Sequence, residues 1–136
     1  MKRTTREWVR KAESDFRLAE TIARGVEPFH DEQCFHCQQS AEKYLKALLE
    51  ELGRTIPKTH NLVALLSLLM SHDRSLRTLR RGADFLTRFA VDTRYPGDSA
   101  SKRQAAAAVR WAGRVRGECR SLLGLPSAGP HSGRAT

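Results

Sequence analysis

The chain has 136 residues, 40 % hydrophobic, 29 % charged and 7 % aromatic, with a formal net charge of +9. That length buries one core and not two, and the composition is that of an ordinary globular domain with an aliphatic interior. No apolar run reaches the length of a membrane span, and no apolar stretch follows the basic N-terminus MKRTTREW, so neither a membrane segment nor a secretory leader is expected. Three cysteines form no disulfide framework and point to a reducing compartment, the cytoplasm.

The charge is unevenly spread. Residues 1 to 68 hold eleven Lys and Arg against ten Asp and Glu, whereas residues 69 to 136 hold thirteen against five. A one-sided cationic field attracts polyanions. The eighteen Arg against six Lys fit a phosphate-binding surface, and they equally fit the codon bias of a G- and C-rich genome.

Taken in order, the periodicity predicts a first helix from Thr4 or Thr5 to about Arg24, burying Trp8, Ala12, Phe16, Ala19 and Ala23. Thr4 and Glu7 fit a capping box, while Gly25 and Pro28 mark the stop. A second helix is expected from His30 or Asp31 to Gly53, with Cys34, Cys37, Ala41, Tyr44, Leu45, Leu48 and Leu52 on its core face. A third begins near His60 or Asn61 behind a Thr59 cap and buries Leu62, Leu65, Leu66 and Leu69. A fourth spans about Arg74 to Val91 on Leu76, Leu79, Ala83, Leu86 and Phe89, ending at TRYPGD, where Pro96 and Gly97 force a turn.

The last helix, about Ser99 to Leu123 behind an Asp98 or Ser99 cap, buries Ala108, Ala112, Val115, Cys119 and Leu122, with Trp111 at the margin. Arg103, Arg110 and Arg114 fall within roughly 40° of one another on its far side. From Gly124 onward, GLPSAGPHSGRAT has no periodicity and reads as a disordered tail, which leaves residues 1–123 as the folded domain. No strand pattern, repeat or glycine-rich phosphate loop is present. The expected fold is therefore all-α, an antiparallel up-and-down bundle of four to five helices.

Opposite the core face of the second helix, His36, Gln39, Glu42, Lys43 and Lys46 recur at steps of three, four and seven, forming a polar stripe. Glu42 precedes Lys46 by four residues, the favourable order for an ion pair. From spacing alone this stripe is a solvated face. Cys34, His36 and Cys37, with His30 nearby, have the residue types of a zinc site, but on a helix both thiols share the buried side while His36 points away, so no metal and no cofactor is expected.

The string CFHCQQSAEKYLKALL resembles the central helix of the HEPN domain family, small helical-bundle proteins of bacteria and archaea, and PKTHNL at 57–62 and RYP at 94–96 resemble two later motifs in the same order. The resemblance covers about the first 123 residues. It implies a protein often paired, as the toxin or substrate-binding half of a toxin–antitoxin module, with a minimal nucleotidyltransferase, and commonly a homodimer. The three-motif match together with the basic second half makes binding of RNA or a nucleotide the leading expectation, through the stripe His36, Gln39, Glu42, Lys43 and Lys46 with His60, Arg94 and Tyr95.

Many members of the family are metal-independent ribonucleases that use an Arg followed four to six residues later by a His, before the last long helix. Here the matching Arg is Arg94, and Ser99, Ala100 and Ser101 stand where that His would be. Arg24 with His30 and Arg54 with His60 share the spacing but belong to earlier turns. An intact site of that kind is not expected; if the chain is a nuclease, its catalytic residues are Arg94 and Tyr95, with His60 as a candidate partner. The competing readings leave Tyr95 packed over Pro96, Arg94 capping carbonyls or paired with Asp92 or Asp98, and the whole bundle a structural adaptor for the transferase.

Overall fold

The apolar rows become five α-helices and one 3₁₀ segment among the residues described by the structure, a computed structural model covering residues 1–91 and 95–127. The helices are α1 (Arg3–Arg24), α2 (His30–Glu51), α3 (Leu62–Met70), α4 (Arg80–Thr87) and α5 (Lys102–Leu122), with the 3₁₀ segment at Arg74–Leu79. No strand occurs among the described residues, and the fold is an all-α bundle.

Pairs of contacts fix the directions. Lys2 and Thr5 bond Glu51, while Asp15 bonds His36, so residue numbers rise along α1 as they fall along α2 and the two helices are antiparallel. Gln33 reaches Ala105 and Tyr44 reaches Arg120, so α5 runs parallel to α2. The chain between Gly53 and Ser101 must therefore travel back along the bundle, which α3, the 3₁₀ segment and α4 accomplish. Helix α2 is central and touches all four other α-helices.

Most expected core residues are buried: Ala12, Phe16 and Ala19 of α1, Cys34, Cys37, Ala41, Tyr44, Leu45 and Leu48 of α2, Leu62, Leu65, Leu66 and Leu69 of α3, and Ala108, Ala112, Val115 and Cys119 of α5. At the helix ends the rows fail. Ala23, Leu52 and Leu122 are exposed, and Val9 is buried at the start of α1 where Trp8 is only half-buried.

Caps account for the shifted boundaries. Helix α1 starts at Arg3, one or two residues early, behind Lys2 and without a side-chain cap, so Thr4 lies inside the first turn and forms no capping box with Glu7, while Thr5 donates its hydroxyl to Glu51. Asn61, not Thr59, caps α3, its side chain accepting from the N–H groups of Val63 and Ala64. Ser101 and Gln104 form the reciprocal capping box of α5, three residues past Asp98. Gly53 and Gly124, at φ of 70° and 72°, end α2 and α5 in Schellman turns, with Arg54 N–H donating to Leu49 O and Leu125 N–H to Arg120 O.

The expected single helix from Arg74 to Val91 is instead a 3₁₀ segment followed by a short α4. Asp73 accepts from Ser75 N–H and starts the tight winding, and Leu76 and Leu79, three apart, meet the core together at that period. Thr87 then holds α4 to α3 by accepting from Leu62 N–H at 3.0 Å. Gly82 lies against Trp111 of α5: a Cβ there would stand 2.2 Å from the indole, so this close crossing requires glycine. Asp92, Thr93 and Arg94 lie outside the described residues, as does the tail from 128 onward, whereas residues 124–127, expected to open that tail, are described and pack on the bundle.

Candidate functional site

Because α2 is surrounded, its polar stripe is not a solvated face. Glu42 and Lys46 are buried and His36, Gln39 and Lys43 are half-buried. Buried charges require partners, and two networks supply them.

The first centres on Glu42. Its Oε2 accepts from Lys46 Nζ at 2.9 Å, and its Oε1 accepts from Gln38 Nε2 at 3.1 Å and from His60 Nδ1–H at 2.9 Å. Gln38 Nε2 also donates to the His60 carbonyl at 3.0 Å, and Gln39 Nε2 donates to Gln38 Oε1 at 2.7 Å. The Lys46 ammonium lies 5.8 Å from the centre of the Trp8 ring. Burial pushes the Glu42 carboxyl upward, but the hydrogen bonds from Lys46, Gln38 and His60 outweigh it and hold the group below the ordinary carboxylate range.

His60 is thus gripped from two sides, at its ring and at its carbonyl, while 65 % of its side chain remains exposed. With Nδ1–H committed to Glu42, Nε2 is the ring nitrogen available to a ligand, accepting when the ring is neutral and donating when it is protonated. The turn carrying it is stiffened by Asn61 N–H donating to Thr59 Oγ1 and by the Asn61 cap.

The second network joins α1 to α2. Asp15 accepts from His36 Nδ1–H at 2.8 Å and from Lys43 Nζ at 2.6 Å. Seven of the expected binding residues lie in the described part: Gln39, Glu42, Lys46 and His60 come together around Glu42, and His36 and Lys43 meet at Asp15. Tyr95 stands apart, 82 % exposed on the turn at Gly97, and its side chain makes no hydrogen bond or ring contact with a described residue. Arg94 falls outside the described residues. Arg54, the partner of His60 by spacing, instead directs its guanidinium to His72 Nε2.

A third network lies further along the bundle. Glu13 accepts both Arg116 Nε and Nη2 at 2.8 Å and the Tyr44 hydroxyl, and Arg120 Nη1 donates to that hydroxyl at 3.1 Å. The same two arginines donate to Ser127 O and Pro126 O, so residues 124–127 lie against the bundle, with Leu125 on the core. Asp15, Gln38, Arg116 and Arg120 were missed as polar core members, although Asp15, Gln38 and Arg116 fall at helical spacing within apolar rows, a signal that a buried partner is needed, and Arg120 follows Arg116 by one turn.

Among the described residues no three His, Cys, Asp or Glu side chains group as metal ligands, and no helix is long and apolar enough to cross a membrane. Burial pushes the thiols of Cys37 and Cys119 up, so both are poor nucleophiles.

The family model for the HEPN domain matches residues 5–122. The chain belongs to the HEPN domain family. Among solved structures, this HEPN chain is similar to ST0689, an archaeal HEPN homologue, at 25 % identity and a TM-score of 0.73, covering 90 % of this chain and 99 % of the other. It is also similar to TT1696 from Thermus thermophilus, at 26 % identity and a TM-score of 0.70, covering 82 % and 91 %. No curated protein matches the sequence. The HEPN match spans α1 through α5 and so includes both stripe networks and the turn that carries His60.

Proposed function

We propose that this HEPN protein binds RNA or a nucleotide at the stripe of α2, with His60 and the RYP turn as the ligand-facing residues, and that it acts beside a small nucleotidyltransferase, itself as a homodimer. The observation that carries this reading is the state of His60: a buried carboxylate holds Nδ1 at 2.9 Å while most of the ring stays open. A histidine fixed in this way is pre-organised to meet a phosphate or ribose oxygen with Nε2. The exposed Tyr95 ring supplies a face on which a base can stack. Gln39 and Lys46 belong to the Glu42 network that holds His60, and His36 and Lys43 form the second pair of the stripe on Asp15.

The His60→Ala variant is expected to weaken binding of a labelled single-stranded RNA about tenfold or more, from the ~1.5–3 kcal/mol of a charge-assisted hydrogen bond. Fluorescence anisotropy reads the effect, and unchanged affinity would refute the assignment of His60. The same Glu42–His60 pair favours a second reading, metal-independent RNA cleavage in which His60 moves a proton alongside Arg94 or Tyr95. Cleavage of an RNA pool in EDTA, abolished by His60→Ala or Arg94→Ala, would select it. Co-elution with a small nucleotidyltransferase and the mass of the free protein in solution test the partnership and the dimer.

A further inference from the structure

Most arginines placed near the core are already engaged. Arg116 and Arg120 are bonded to Glu13 and Tyr44, Arg114 lies over the Trp111 ring and Arg88 over Phe85. Arg77, Arg80 and Arg81 differ: they line one open groove of about 690 Å³ between the start of α3 and the 3₁₀–α4 segment, and none makes an ion pair or side-chain hydrogen bond with a described residue. Three guanidinium groups against the single carboxylate of Asp84 leave the groove with an excess of positive charge, which an anion there would offset.

The remaining lining favours the same ligand. Asn61 spends its Oδ1 on the N–H groups of Val63 and Ala64, which leaves its amide hydrogens as donors at the groove wall. The single acid, Asp84, is paired with none of the three arginines, so the groove keeps a local excess of positive charge. No aromatic side chain lines it, so it offers nothing on which a base can stack. Cationic donors in excess of acceptors, with no stacking face, suit a phosphodiester backbone better than the bases attached to it.

We propose that the groove of Arg77, Arg80, Arg81 and Asn61 carries the phosphodiester backbone of a nucleic-acid strand whose adjoining nucleotide lies at His60. This rests on the RNA-binding reading given above and extends it to a second subsite, connected through Asn61, the residue after His60. The subsite supplies charge and direction, and sequence or sugar identity is read elsewhere.

The test is the salt dependence of binding of a labelled single-stranded RNA and of the DNA oligomer of the same sequence. Wild-type protein is compared with the triple variant Arg77→Gln, Arg80→Gln, Arg81→Gln and with a charge-matched control, Arg103→Gln, Arg110→Gln, Arg114→Gln, on the exposed side of α5. Each phosphate contact to a single strand contributes about 0.7 to the slope of log K against log salt, so the groove variant is expected to lose about 2 from that slope with either oligomer. The control is expected to lose less than about 0.7, and thermal melts verify that both variants are folded.

Equal losses in the groove variant and the control would overturn the groove and leave only net charge. A loss confined to RNA would also overturn it, since a backbone site does not read the 2′-hydroxyl. Full binding by the groove variant together with weakened binding by His60→Ala would remove the groove and keep the RNA-binding reading. Absence of binding by wild-type protein to either oligomer would remove both.

Discussion

Replacing Glu42 by Gln is expected to lower the unfolding free energy by about 3 kcal/mol, the low end of the range for breaking a buried ion pair. The amide keeps the shape and can still accept from His60 or Gln38, but Lys46, 7 % exposed, loses its counter-charge. The Trp8 ring 5.8 Å away offsets part of that loss. The companion variant Glu42→Gln, Lys46→Met removes both charges and is expected to recover most of the stability, because an apolar side chain needs no counter-ion there. Urea denaturation of the three proteins measures this. A Glu42→Gln protein as stable as wild type would mean that the network is not buried as described.

Glu13→Gln is expected to cost more, about 3–5 kcal/mol, because one carboxylate serves two arginines and a tyrosine. Arg116 would retain Ser127 O and the Phe16 ring, and Arg120 would retain Pro126 O, but neither would keep an anionic partner among those contacts. Hydrogen exchange at residues 124–127 should rise together with the loss of stability, since the arginines that hold this segment are themselves oriented by Glu13.

Acid should act on both networks. Burial alone would raise the Glu13 carboxyl, but the bonds from Arg116 and Tyr44 and the charges of Arg116 and Arg120 bring it below its usual 4.5, as Lys46, Gln38 and His60 do for Glu42. A folded-state value below the unfolded one contributes stability that is complete above about pH 4.5 and is lost as pH falls through the folded value. Wild-type protein should therefore destabilise on acidification below that pH more steeply than Glu13→Gln does, and parallel curves would argue against the assigned pairing.

The core was legible because burial is written in local periodicity. Leu62, Leu65, Leu66 and Leu69 could face only one way on a helix, and they are all buried. What periodicity does not reveal is how many neighbours a helix has. Glu42 and Lys46 look solvent-facing when α2 is assumed to rest on one side, and become buried because α2 is enclosed by the other helices.

Their partners also lie far along the chain, Asp15 21 residues from His36 and Glu42 18 residues from His60. No pattern within one helix contains those pairings, although the PKTHNL motif did single out His60. The 3₁₀ winding at Arg74–Leu79 was missed for a related reason, since spacings of three and four fit either helix and only Asp73 and the docking of Leu76 and Leu79 choose between them.

The most direct measurement is a double-mutant cycle in RNA affinity, with wild type, Glu42→Gln, His60→Ala and the combined variant titrated against the same labelled single strand at a temperature where all four are folded. If Glu42 acts on RNA by holding His60, the combined variant will bind about as weakly as His60→Ala alone, and the effect of Glu42→Gln will vanish in the His60→Ala background. Losses that add independently, or a wild-type protein that binds no RNA, would contradict it.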